Sequence, residues 1–221
     1  MRTLYHYPLC AFSRIVRIYL TEKSLEYDLV QELPWDRRKH FSEKHMFSDI
    51  PTLVDKDGHT LEGWYAIVEY MEQIYKTKPL MGHTQKEKDE SRRIMSLFNE
   101  MFFADVTKDV LFERIIKKHM NISPDSSVMR RAAAAMVAYM EHVAWLSDRR
   151  NWLSGDNLTL ADISVAAHIS CIDYFGSIEW DSHPIVKNWY ARIKSRPSFR
   201  DILSDRVPAF APASHYRELD F

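Results

Sequence analysis

The sequence predicts two units joined end to end, an α/β unit followed by an all-helical one, and three observations predict it. Residues 3–72 alternate short apolar segments with helical spacing, in the order strand, helix, strand, loop, hairpin, helix. Lys78-Pro79 and Gly82 then punctuate the chain as a linker does. Beyond them the apolar residues recur only at helical spacing. The expected division is 1–78 for the α/β unit, 86–205 for the helical unit and 206–221 for an extended C-terminal tail.

Within the first unit, residues 3–7 alternate and are rich in Tyr and Leu, so they read as a strand that Pro8 stops. Residues 13–22 follow with Ile15, Val16, Ile18, Tyr19 and Leu20 on a helix edged by arginines, and Ser13 reads as its N-cap. A second strand covers 26–32, and a loop carrying Trp35 leads to Ile50. The apolar run from Ile50 to Val54, closed by Asp57-Gly58 and followed by another short run, is a hairpin signal. Pro51 is tolerated at the head of a strand because that residue need not donate to the ladder. A cis bond there would turn the backbone of Ile50 outward, as a clamp for an extended peptide. An amphipathic helix closes a unit of thioredoxin-like length.

In the second unit, a helix over 87–118 carries Ile94, Leu97, Phe98, Met101, Phe102, Val106, Val110, Leu111 and Ile115 at helical spacing. A polar break containing Pro124 precedes a second long helix over 127–146, and further helices cover 159–175 and 184–195. Thr159 reads as an N-cap with Asp162 three residues on, a variant of the capping box.

Composition excludes several classes. The 221 residues are 46% hydrophobic, enough for a core, and the formal charge of −1 gives no sign of a nucleic-acid or membrane partner. No apolar run approaches the roughly 18 residues that span a bilayer, and the N-terminus lacks the apolar core of a signal peptide. Two distant cysteines, Cys10 and Cys171, suit a reducing cytoplasm. Ten scattered histidines show no paired ligand spacing, so no metal site is expected. His6, His40 and His45 read as surface residues near a cleft.

The segments PLCAFSRIVRIYL, DIPTLVDKDG, WLSGDNLTLADISVA and HPIVKNWYARIKSRPSF, in that order and spacing, resemble the glutathione S-transferase superfamily over nearly the whole chain. The resemblance implies a two-domain fold, thioredoxin-like then all-helical, a homodimer and glutathione as the possible ligand. It places Cys10 where relatives carry the residue that activates the glutathione thiol. A cysteine at a helix N-terminus has its thiolate stabilised by the helix dipole, and Arg14 follows one turn on; the alternative is an inert small residue. Tyr5, Tyr7 and Ser13 are further hydroxyl candidates for the catalytic role. The backbone clamp at Ile50-Pro51 is present. The acidic residue and serine that the family places at the next helix N-terminus are replaced by Gly63 and Trp64, which removes two charge-assisted contacts of roughly 1.5–3 kcal/mol each. Glutathione binding is therefore expected to be weak, and activity weak or absent.

Two further features point to a partner surface. Trp35 stands beside Asp36, Arg37, Arg38 and Lys39, and Trp and Arg dominate binding hot spots. The tail VPAFAPASHYRELDF lacks helical periodicity yet carries Phe210, Tyr216, Leu219 and Phe221, so it lies across the body or engages a partner. The Pro-Trp-Asp-Arg-Arg loop, the weakened ligand site and the Leu-Asp-Phe end resemble the alphaproteobacterial FzlA subfamily, GST-like proteins that bind filaments of the division GTPase FtsZ. That resemblance implies partner-binding roles for Trp35 and Asp220. The competing expectation is a glutathione-dependent transferase or thiol reductase using Cys10.

Overall fold

The computed structural model describes residues 1–33 and 50–219. Trp35, His40, His45 and Asp220 lie outside the described residues.

A four-stranded sheet anchors the first unit. Its order is β2-β1-β3-β4, with β1 at Arg2–His6, β2 at Tyr27–Gln31, β3 at Thr52–Val54 and β4 at Thr60–Glu62. β1 and β2 run parallel, Leu4 opposite Leu29, while β3 is antiparallel to both β1 and β4, Leu53 facing Leu4 and Leu61. The β3–β4 turn closes through Gly58 N–H donating to Asp55 O at 3.0 Å and Asp55 N–H to His59 O at 2.8 Å. Gly58 adopts φ +86°, a left-handed conformation that glycine enters without steric cost. Two helices, α1 (Ala11–Glu22) and α2 (Trp64–Ile74), pack together, and Leu4, Ile15, Tyr19, Leu53, Ile67 and Met71 are all fully buried.

The second unit opens with a continuous helix over 85–119, here α3, whose first turn is closed by a Thr84–Glu87 capping box. It is α-helical over Gln85–Ser96, then π-helical over Leu97–Thr107 and again over Phe112–Ile116. The sequence predicts ordinary α-helix there. An α-helix turns in 3.6 residues, so a strict four-residue repeat drifts around it; wider π turns keep Phe98, Phe102, Val106 and Val110 all buried on one stripe. Then come α4 (Ser126–Arg149), α5 (Leu160–Asp173), α6 (Pro184–Lys194) and α7 (Pro197–Ser204).

Every residue of α5 is buried, which makes it the axis of the molecule. Its start is the expected Thr159–Asp162 box, and Asp162 does more than cap. Its Oδ2 accepts from Thr159 N–H at 3.1 Å, and its Oδ1 from Leu153 N–H at 2.8 Å and Trp189 Nε1–H at 3.1 Å. One carboxylate thus ties α5, α6 and the preceding loop together.

α1 packs against both α5 and α7, and here the sequence expectation is corrected. Arg14 and Arg17 are not at the edges of α1 but buried. Arg14 Nε donates to Pro8 O and Nη1 to Ser170 Oγ, both at 2.7 Å. Arg17 grips Asp205 with two hydrogen bonds of 2.8 and 2.9 Å. His6 is likewise buried rather than at the surface. Burial, with the Arg17 and Arg14 charges, pulls its pKa down to about 3.

The tail lies across the helical unit as far as it is described. Val207 and Tyr216 are buried, and a 3₁₀ turn at Ser214–Arg217 interrupts the expected extended run. Tyr174 holds three points of it: its hydroxyl accepts from Val207 N–H at 3.2 Å and donates to Phe210 O at 2.9 Å, and its carbonyl accepts from Ala213 N–H at 2.9 Å. His215 Nε2 meets the buried Asp173 carboxylate at 2.8 Å.

Candidate functional site

The cleft between the two units is built from three chain segments. The first is the start of α1. Pro8 ends β1, and Cys10, with extended φ and ψ, becomes the N-cap residue without a side-chain capping bond. Ser13 is therefore not the N-cap but the third residue of the helix. It is fully buried, and its Oγ accepts from Tyr7 N–H at 3.3 Å.

The second segment is the head of β3. The Ile50–Pro51 bond is cis, and Pro51 O accepts from Gly63 N–H at 3.0 Å, which joins the strand to the N-terminus of α2. Cys10 Sγ lies 4.0 Å from Ile50 O. Cys10 thus lies beside Ile50, and Pro51 is tied to Gly63.

The thiol itself departs from expectation. Burial pushes the Cys10 pKa up, and this outweighs the bonds from Ser13 and Phe12 and the Arg14 charge that favour the thiolate. The helix start does not prevail because desolvation of a thiolate is the larger effect here.

The third segment is the start of α2. Gly63 is its N-cap with φ +82°, a conformation that disfavours any side chain, and its first turn holds no acidic residue and no side-chain cap. Trp64 is the first helical residue, and its ring lies parallel to Phe12 of α1, at 6.1 Å between centroids and 9° between planes. Phe12 packs on Phe103 of α3 at 4.9 Å and edge-on to His168 of α5 at 5.6 Å. The aromatic column Trp64–Phe12–Phe103 runs from the N-terminus of α2 across the cleft to the helical unit. Beside it a cavity of about 430 Å³ is lined by Trp64, Tyr65, Arg92, Met95, Ser96, Asn99 and Glu100.

A buried polar network backs the column. Asn99 Nδ2 donates to Ser164 Oγ at 3.2 Å, so its Oδ1 accepts from His168 Nε2–H at 3.0 Å. His168 Nδ1 then accepts from Thr107 Oγ1–H at 2.9 Å, which fixes one neutral tautomer. Burial alone brings its pKa to about 3. Asn99 and Thr107 both sit in the π-helical stretch.

Sequence reasoning missed Phe12, Asn99, Phe103, Thr107 and His168. Phe12 lies between the two candidates Cys10 and Ser13, and a lone histidine in an otherwise small and apolar helix was the available signal for His168. Among the described residues no group of His, Cys, Asp and Glu could hold a metal ion.

Residues 4–79 match the family described as glutathione S-transferase, N-terminal domain, and residues 107–206 match glutathione S-transferase, C-terminal domain. The chain is 36% identical to FtsZ-localized protein A of Caulobacter vibrioides over 224 residues, covering 100% of this chain and 98% of that protein. The structure is similar to the crystal structure of a glutathione S-transferase from Rhodospirillum rubrum F11, with TM-score 0.97 and 40% identity over 100% of both chains. It is also similar to FzlA from C. crescentus, with TM-score 0.95 and 37% identity over 100% of this chain and 99% of that one.

Proposed function

The chain belongs to the glutathione S-transferase family, and we propose that it is a member with a degenerate glutathione site that works by binding filaments of the division GTPase FtsZ. The observation that carries the reading is Trp64. An indole stacked on Phe12 stands at the helix start where the family's serine would receive the amino-acid end of glutathione. The likeness over the full chain to FtsZ-localized protein A supports the choice of partner. In this reading the protein is a cytoplasmic homodimer, and Trp35 and Asp220 contact the filament. Glutathione binds weakly through the Ile50-Pro51 backbone and the bare N–H groups of α2.

The second reading is a transferase or thiol reductase using Cys10, with Ser13 as a further candidate. The placement of Cys10 beside Ile50 favours it. The raised thiol pKa and the burial of Ser13 oppose it.

Co-sedimentation with FtsZ polymers tests the first reading. The expected result is co-pelleting that Trp35→Ala or Asp220→Lys abolishes. No co-pelleting at any concentration removes that reading. Turnover of a chlorodinitrobenzene-type electrophile, lost in Cys10→Ala, would establish the second.

A further inference from the structure

The net charge of −1 conceals a local imbalance. Residues 108–131, the end of α3, the turn and the start of α4, hold six Lys and Arg against three Asp and Glu. Two of those carboxylates are engaged: Glu113 pairs with Lys117 at 2.8 Å, and Asp125 accepts from Ser127 N–H at 2.8 Å as the cap of α4. Among the described residues Lys108, Arg114, Lys118, Arg130 and Arg131 have no carboxylate within 4.0 Å.

The same end displays apolar side chains. Phe112, Met120 and Ile122 are 44%, 56% and 46% exposed. The turn that presents Met120 and Ile122 is held firmly by backbone bonds. Ile122 N–H donates to Lys117 O at 2.8 Å and Asn121 N–H to Lys118 O at 3.2 Å, with Asn121 at φ +54°. This is a Schellman motif, in which the apolar residue after the left-handed position commonly folds back on its helix. Here that residue is Ile122, and it is left half in solvent. Glu113 Oε2 also accepts from Asp125 N–H at 2.6 Å and closes the turn from the far side.

We infer that this helical hairpin end is a docking surface for an anionic lipid surface, an interaction independent of the reading above. Cations around a few protruding apolar side chains are the composition of an interfacial contact, in which the apolar groups sink among the headgroups while Lys and Arg meet the phosphates. The shape agrees. Every residue from 118 to 127 is exposed, so the turn projects into solvent and offers no groove for an extended peptide. The contact is peripheral, since among the described residues no helix is long and apolar enough to cross a membrane.

The test is sedimentation of the full chain with vesicles of phosphatidylcholine alone, and with vesicles containing phosphatidylglycerol. Pelleting is expected only with the anionic vesicles, and it weakens as salt rises. Each cation removed lowers partitioning about fivefold, so Lys118→Glu with Arg131→Glu lowers it at least about 25-fold. Met120→Ser with Ile122→Ser keeps the charge and lowers it severalfold. Circular dichroism of the variants confirms that they fold, because all four side chains are at the surface. Wild-type pelleting no greater with anionic vesicles than without vesicles overturns the inference. So does binding indifferent to both double variants. If the wild type ignores vesicles while the charge reversals weaken co-sedimentation with FtsZ, the surface serves a protein and the lipid assignment is wrong.

Discussion

Replacing Trp64 by Ser puts a hydroxyl at the first position of α2. The gain is one hydrogen bond to the charged end of glutathione, worth roughly 1.5–3 kcal/mol, or about ten- to 150-fold in affinity. The loss is the parallel contact with Phe12, about 0.5–1.5 kcal/mol of folding stability, together with the apolar surface of a half-buried indole. Trp64→Ser therefore binds glutathione more tightly while its denaturation midpoint falls. The neighbouring change is less productive. Gly63 has open space where a Cβ would stand but a φ of +82° with ψ 145°, a backbone region that costs a side chain roughly 1–3 kcal/mol. Adding Gly63→Glu to Trp64→Ser should thus return less than a full charge-assisted contact. Calorimetric titration with glutathione reads both gains directly. Micromolar binding by the wild type, or a Trp64→Ser titration indistinguishable from wild type, would refute the argument that the indole closes the site.

Asp162→Ala should cost about 3–5 kcal/mol in urea unfolding, since it removes the α5 cap and leaves the buried Leu153 and Trp189 N–H groups without an acceptor; Asp162→Asn should recover only part. His6 and His168 are both held near pKa 3, below the unfolded value of 6.5. The unfolded chain takes up these protons first, so stability is full above about pH 6.5 and falls as pH drops toward 3. At pH 4.5 the loss is roughly 2–3 kcal/mol per histidine, and His168→Gln should flatten the pH dependence of the urea midpoint. Cys10, with its raised pKa, should react with iodoacetamide more slowly than free cysteine at pH 7.5 and gain rate as pH rises; labelling as fast as free cysteine would contradict the burial argument. Tyr216→Ala removes a buried ring that meets Tyr174 edge-on and should cost about 3–5 kcal/mol, with new protease cleavage in residues 206–219 visible by mass spectrometry.

Much of this molecule was legible in the chain because its signals are local. Strand alternation around Leu4, the Asp57-Gly58 turn and the Thr159–Asp162 box each lie within a few residues, where backbone geometry and side-chain reach decide the outcome. Gly63 and Trp64 are placed at a helix start by the family resemblance and not by a local signal. Tertiary structure alone decided what those residues meet. Phe12 closes on Trp64 and His168 across 52 and 156 positions of sequence, and Arg14 reaches Ser170 over the same span. No spacing rule encodes such pairs. Arginines on α1 read as an edge until α5 and α7 cover them, and a helix-start cysteine reads as activated until the surrounding protein takes away much of its water. Desolvation depends on every element packed around a group, so it appears only when the chain has folded.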